Sequence, residues 1–117
     1  MITTTRLPRL QKRDRGIHAG RAEILLSKSQ TWDDAQRFAA EVVARLGLVI
    51  TEKIDGPDAW IWEVQRGNVT MVLGYDDYPC ETTLGSVDAA GDDAIHAIFS
   101  LLREETWSEL NPFDSRA

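Results

Sequence analysis

Residues 75–81, with the sequence YDDYPCE, form the densest group of side chains that could do chemistry. The carboxylates of Asp76, Asp77 and Glu81 are the kind of group that binds a divalent cation or serves as a general acid and base. A hard cation takes about six oxygen ligands, and this loop alone offers too few. No second acidic or histidine motif lies at ligand spacing in the sequence. Asp and Pro are also common turn residues, so the sequence favours a plain turn and predicts no metal and no cofactor.

Nucleophilic catalysis would depend on Cys80, with His96 as its base. A reactive thiol needs an electropositive setting and an adjacent base, whereas the sequence neighbours of Cys80 are acidic. His96 falls beside the apolar stripe of a predicted helix, and His18 has no companion. The sequence also has neither the spacing of a glycine-rich phosphate loop nor a Cys and His set for zinc. These observations argue against an enzyme.

Charge divides the chain into two unequal parts. The first 28 residues hold seven Lys and Arg against two acidic residues, a net charge of +5, and the other 89 hold six against seventeen, a net charge of −11. Such asymmetry bears on partners and association rates rather than on fold. The basic segment has no interleaved aromatic residues to stack on bases, which argues against nucleic acid. An acidic body favours a protein partner of basic character over an anionic membrane.

The sequence also bears on compartment. The longest apolar runs, such as residues 46–50, are far too short to span a bilayer. Residues 2–20 have only scattered apolar positions, unlike a secretory signal. Cys80 is the only cysteine and cannot form an intrachain disulfide. We therefore expect a cytoplasmic protein.

A hairpin precedes the acidic loop and must position it. Trp60, Trp62 and Val64 alternate with residues of the other face, and Gly67-Asn68 fits a two-residue turn. Since side chains alternate along a strand, one residue of slip would scatter the apolar set. The predicted cross-strand partners of these three residues are Tyr75, Leu73 and Met71, in that order.

Two helices are predicted on either side of the strands. Thr31 is a good N-cap for the first, acidic residues follow in its first turn, and Gly47 suits a left-handed C-cap. Residues 88–91 lead into the second helix, and Asp92 and Asp93 place negative charge in its first turn. Each helix has one apolar stripe.

Further strands are predicted at residues 22–26, 48–54 and 81–87. The order β-α-β-β-β-β-α gives an α+β fold, a mostly antiparallel sheet of about five strands. Both helices are expected on one face, because each has a single stripe to bury. Residues 1–20 are predicted to form a basic N-terminal arm, and residues 21–117 a single α+β domain.

In size, charge and α+β make-up the chain resembles small acidic bacterial domains that neutralise toxins, the immunity proteins, and other inhibitors, without a motif matched residue by residue. Such proteins use carboxylates to meet a basic target with fast, steered association. The resemblance implies a non-catalytic protein that binds another macromolecule. The partner-binding candidates are Tyr75, Asp76, Asp77, Tyr78, Glu81 and Trp32.

Two alternatives remain open. One is a small enzyme or divalent-metal-binding protein centred on Asp76, Asp77 and Glu81. The other is a self-associating structural domain, such as a homodimer in which the basic arm of one copy lies on the acidic body of another.

Overall fold

The computed structural model describes residues 7–14, 16–77 and 80–104. These residues form one six-stranded antiparallel sheet, in the order β1-β2-β6-β5-β4-β3, and two helices. The prediction of an α+β fold is confirmed. The elements are β1 Arg9–Lys12, β2 Ala22–Lys28, α1 Trp32–Leu46, β3 Val49–Asp55, β4 Ala59–Arg66, β5 Val69–Asp76, β6 Glu81–Ser86 and α2 Ala89–Glu104.

The predicted strand count of about five is corrected to six, because the basic segment contributes β1. This strand pairs with β2, with Leu10 opposite Ile24 and Gln11 opposite Glu23. It has four residues, three of them polar, and only Leu10 packs against the core. So short and polar a segment has little intrinsic preference for a strand, and it is pairing with β2 that orders it.

The β4–β5 hairpin has the predicted register. Trp60 lies opposite Tyr75, Trp62 opposite Leu73, and the turn falls at Gly67-Asn68. Gly67 has a φ of +62°, in the left-handed region that glycine adopts readily. The turn and the period-two pattern therefore specify the same pairing, which fixes the strand that leads to the acidic loop.

The predicted ends of α1 are confirmed. The Thr31 hydroxyl accepts a hydrogen bond from the Asp34 backbone N–H, and Gly47 has the left-handed conformation that ends the helix. The second helix begins at Ala89, earlier than predicted, because Asp88 caps it: its Oδ1 accepts from the Gly91 N–H at 2.7 Å. Among the described residues, no helix is long and apolar enough to cross a membrane.

One core cluster contains buried residues of the sheet and of both helices. On the sheet, a row of buried residues runs across β2, β6, β5 and β4 through Ile24, Leu84, Leu73 and Trp62. We call this side the core face. The members of the core cluster that come from the helices are Ala35, Phe38, Ala39, Val42 and Leu46 of α1 and Ile95, Ile98 and Leu102 of α2.

Candidate functional site

The opposite side of the sheet, here called the open face, carries the side chains that alternate with the core residues. The pairings define its rows. The central row runs from Ile54 through Ile61 and Gly74 to Thr83. On the β3 and β4 side this row is exposed: Ile54 retains 50% and Ile61 41% of the surface accessible to an isolated residue. An apolar pair on this part of the sheet is therefore in contact with solvent.

Two pairs of carboxylates lie on either side of that central row. Glu52 on β3 is directly opposite Glu63 on β4, and Asp76 on β5 is directly opposite Glu81 on β6. Opposed residues of this kind have Cβ atoms about 5 Å apart, and like charges there destabilise the sheet. The open face thus brings like charges together at two places beside its apolar row.

Side chains beside these pairs contact Glu63 and Glu81. The Thr51 hydroxyl donates to Glu63, with 3.0 Å between its oxygen and Oε1. The Lys28 ammonium lies 4.0 Å from Glu81 Oε2, with the lysine side chain 44% exposed. Solvent screens such exposed contacts, so they offset little of the repulsion.

A groove of about 200 Å³ opens on the same face above Gly74. Gly74 has no side chain, so the backbone of β5 forms the floor of the groove at this position. The walls combine apolar side chains with acidic ones and one guanidinium. Its principal lining residues are Arg13, Asp14, Glu23, Ile61, Val72, Asp76, Glu81 and Thr83.

Tyr75, Asp76 and Glu81 are the predicted partner-binding residues that line this groove. The Tyr75 ring itself is buried on the core face, where it makes an edge contact with Trp32 at 6.0 Å between centroids. Tyr78 lies outside the described residues. The predicted set is therefore divided between the two sides of the sheet.

Asp77 belongs with the core side rather than with the groove. Its Oδ1 lies 2.9 Å from the Tyr75 hydroxyl oxygen, which is also 2.8 Å from the Gln30 carbonyl oxygen. Burial, together with the hydrogen bond to Asp77, raises the pKa of the Tyr75 hydroxyl above its ordinary value. Tyr75 thus acts as a neutral tether between β5 and the segment before α1, not as an acid.

The three carboxylates of the acidic loop do not converge, since Asp77 faces Tyr75 while Asp76 and Glu81 line the groove. Within the described ranges, no group of three or more His, Cys, Asp and Glu side chains could hold a metal ion. The geometry therefore gives no support to a metal centre built on this loop.

Cys80 and His96 lie near opposite ends of β2. The Cys80 thiol donates to the Asp77 carbonyl oxygen at 3.0 Å, and the Cys80 carbonyl accepts from the Ser29 N–H, just after β2. His96 lines a separate cavity of about 290 Å³ beside Ala22, at the start of β2. The strand between them separates the thiol from this candidate base.

Asp92 also lines that second cavity, and its carboxylate is fully engaged within the chain. It accepts from the Ser86 hydroxyl, from the Ala22 N–H at 3.0 Å and from Arg21 at 2.7 Å. The hydrogen bonds from Ser86 and Ala22, with a further contribution from Arg21, lower the pKa of Asp92 to about 2. Asp92 thus ties α2 to β2 and β6, which is a structural role.

Sequence reasoning missed the β3–β4 part of the open face, including Glu52, Glu63, Ile54 and Ile61. The sequence feature that could have identified this region is the alternation along β4. Ile61, Glu63 and Gln65 alternate with the core residues of the strand and therefore share the open face. The opposition of Glu52 to Glu63 was hidden, because the register of β3 shifts between Ile50 and Glu52.

Comparisons with known proteins bear on the family alone. Neither the comparison with curated proteins nor that with solved structures gave a match. A family model described as "Protein of unknown function (DUF3630)" matches residues 14–103, from the turn after β1 almost to the end of α2. That span is well over half of the chain and includes β2 to β6, so the chain belongs to the DUF3630 family.

Proposed function

We propose that this protein is a non-catalytic domain that binds a basic segment of another protein through the carboxylates of its open face. The observation that carries the proposal is the repeated opposition of like charges, Glu52 with Glu63 and Asp76 with Glu81, on either side of exposed isoleucines. Repulsion of this kind costs stability in the free protein, and a cationic partner would relieve it.

Charge and shape in the groove support the same partner. Among the described residues, its lining includes four acidic residues, Asp14, Glu23, Asp76 and Glu81, and one cation, Arg13. Lysine and arginine side chains join an aliphatic stem to a charged head, so the stem can lie on apolar surface while the head meets a carboxylate. Ile61 and Val72 supply that apolar surface beside the carboxylates.

A binding measurement with defined peptides tests the proposal. The full chain is titrated with a peptide of alternating Lys and Ser and with a matched peptide of alternating Glu and Ser. We expect the lysine peptide to bind and its affinity to fall as salt is raised, because exposed charges are screened. The double variant Asp76→Asn with Glu81→Gln should weaken binding about tenfold, as expected for the loss of two partly exposed ion pairs.

The matched control is Asp33→Asn with Glu41→Gln, which removes the same charge from exposed positions on α1. It should change affinity much less than the open-face variant. Equal losses for the two variants would show that net charge, not the open face, attracts the peptide. If the lysine peptide failed to bind at low salt, the proposed function would be wrong.

A further inference from the structure

The outer strand of the sheet at the open face, β3, has the properties of a docking edge. Within the described part of the chain it pairs with β4 alone, so its other edge presents backbone N–H and C=O groups without a strand partner. All of its residues except Ile50 are exposed, and Val49 and Ile54 retain 62% and 50% of their accessible surface. An extended peptide can add to such an edge through main-chain hydrogen bonds.

We propose that the basic partner binds as an added antiparallel strand along residues 52–55 of β3, with Lys or Arg opposite Glu52 and an aliphatic residue opposite Ile54. This inference rests on the proposed function and specifies how the same partner is held. The added strand is limited to residues 52–55 because the register shift between Ile50 and Glu52 interrupts the regular pairing of β3 before this stretch.

Charge selects the residue opposite Glu52. Glu52 already lies opposite Glu63, so a third residue in this row would adjoin a pair of carboxylates. A lysine or arginine there would replace repulsion by attraction, whereas an acidic residue would extend the row of like charges. The row thus favours a cation and rejects an anion, which gives the edge both affinity and specificity.

Side-chain alternation sets the rest of the motif. Ile54 faces the same side as Glu52, and its β4 partner Ile61 is also exposed. In an antiparallel strand the residue opposite Ile54 comes two positions before the one opposite Glu52. The partner therefore reads aliphatic, any residue, then Lys or Arg. The intervening residue faces Lys53, whose ammonium lies 4.4 Å from the centre of the Trp62 ring.

A second copy of the chain fits this edge less well than a basic partner. Each copy carries a net charge of −6, so two copies repel one another. Antiparallel pairing of β3 with itself in the register centred on Glu52 would also set the two Glu52 side chains opposite one another, where a basic strand would supply a cation. Charge complementarity therefore favours a different protein.

The test uses the isotope-labelled full chain and the short peptide Thr-Lys-Val-Thr-Lys-Thr-Thr, which places Val opposite Ile54 and its second Lys opposite Glu52. We expect amide resonances of β3 to shift and their hydrogen exchange to slow when the peptide is added. Replacing that second Lys by Glu in the peptide should weaken binding about tenfold, from loss of attraction and added repulsion.

A charge swap separates strand addition from general attraction. Glu52→Lys should lose about tenfold in affinity for the lysine peptide and regain it with the Glu peptide, while Glu41→Lys on α1 should do neither. Glu52 and Glu41 are both exposed, so neither variant is expected to unfold the chain. Glu52→Lys should melt at or above the temperature of the parent chain, because it removes one charge of an opposed like pair.

Three results would overturn the inference. If the peptide shifts Asp76, Glu81 and Thr83 without slowing exchange in β3, it lies across the open face, and only the proposed function survives. If β3 exchange is already slow without peptide and sedimentation shows a dimer, a second copy occupies the edge. If this peptide fails to bind while the longer lysine–serine peptide binds, strand addition is wrong and the broader function stands.

Discussion

On the core face of the sheet, large apolar residues lie opposite one another, whereas on the open face carboxylates lie opposite carboxylates. The two arrangements alternate along the same strands: Trp62 of β4 is opposite Leu73, and its neighbour Glu63 is opposite Glu52. The core face gains stability from burial, and the open face gives some of it up to repulsion. The difference indicates that stability is concentrated on the core face, and the binding site that we propose lies on the other side.

Two other carboxylates, Glu23 in the groove and Asp92 beside the second cavity, receive donors from within the chain. Glu23, only 7% exposed, accepts from the Gln11 side chain at 2.7 Å and lies 3.5 Å from the Arg13 guanidinium. Asp92 receives hydrogen bonds from Ser86, Ala22 and Arg21. Donors from within the chain thus hold elements together at Glu23 and Asp92, whereas strand pairing sets Glu52 opposite Glu63 and Asp76 opposite Glu81 on the open face.

The largest expected effect contrasts the two faces of β4 directly. Trp62 is 4% exposed on the core face, so Trp62→Ala should lower the free energy of unfolding by about 3–5 kcal/mol through lost burial and a residual cavity. Ile61→Ala, on the open face of the same strand, should cost about 1 kcal/mol or less. Urea denaturation of both variants measures the two losses in free energy of unfolding. Equal losses would contradict the predicted difference between the two faces.

A second prediction concerns a carboxylate whose donors all come from within the chain. Because folding lowers the pKa of Asp92 from 3.8 to about 2, its contribution to stability is complete above the ordinary value and is lost as pH falls through about 2. Asp92→Asn should therefore lower the melting temperature at pH 7. The gap between variant and parent should close as the pH is lowered from about 4 toward 2.

Melting curves of the parent and of Asp92→Asn across this pH range provide the measurement. The exposed Asp33→Asn on α1 is the control, and we expect its gap from the parent to vary far less with pH. A gap for Asp92→Asn that stays constant from pH 7 to pH 2 would show that the hydrogen bonds to its carboxylate do not depend on its charge.

The smallest expected effect has the opposite sign. Glu52→Gln should raise the free energy of unfolding by about 0.2–1 kcal/mol, because it removes one charge of an opposed like pair. The gain should shrink as salt screens the charges. Glu41→Gln, at an exposed position of α1, is the matched control for the change in net charge. If Glu52→Gln instead lowered the free energy of unfolding, the claim that opposed carboxylates destabilise the open face would be wrong.

Much of the local structure could be predicted from the sequence. The cap at Thr31, the left-handed ending at Gly47 and the register of the β4–β5 hairpin all depend on residues close together in the chain. Interactions over a few residues are encoded by residue type and spacing, so period and turn chemistry suffice to find them. The same local signals led to the acidic loop, and two of its carboxylates, Asp76 and Glu81, lie on the candidate site.

The sequence by itself determined the fold class, both helices, the central hairpin and the net negative charge on which the proposed basic partner depends. Tertiary structure alone decided that residues 9–12 become a strand, that Asp77 turns to Tyr75, and that Glu52 meets Glu63. The first needs β2 beside it, and the last depends on a register shift that residue periodicity does not encode. Which side chains share a face across several strands is set by pairing, and pairing is a property of the assembled sheet.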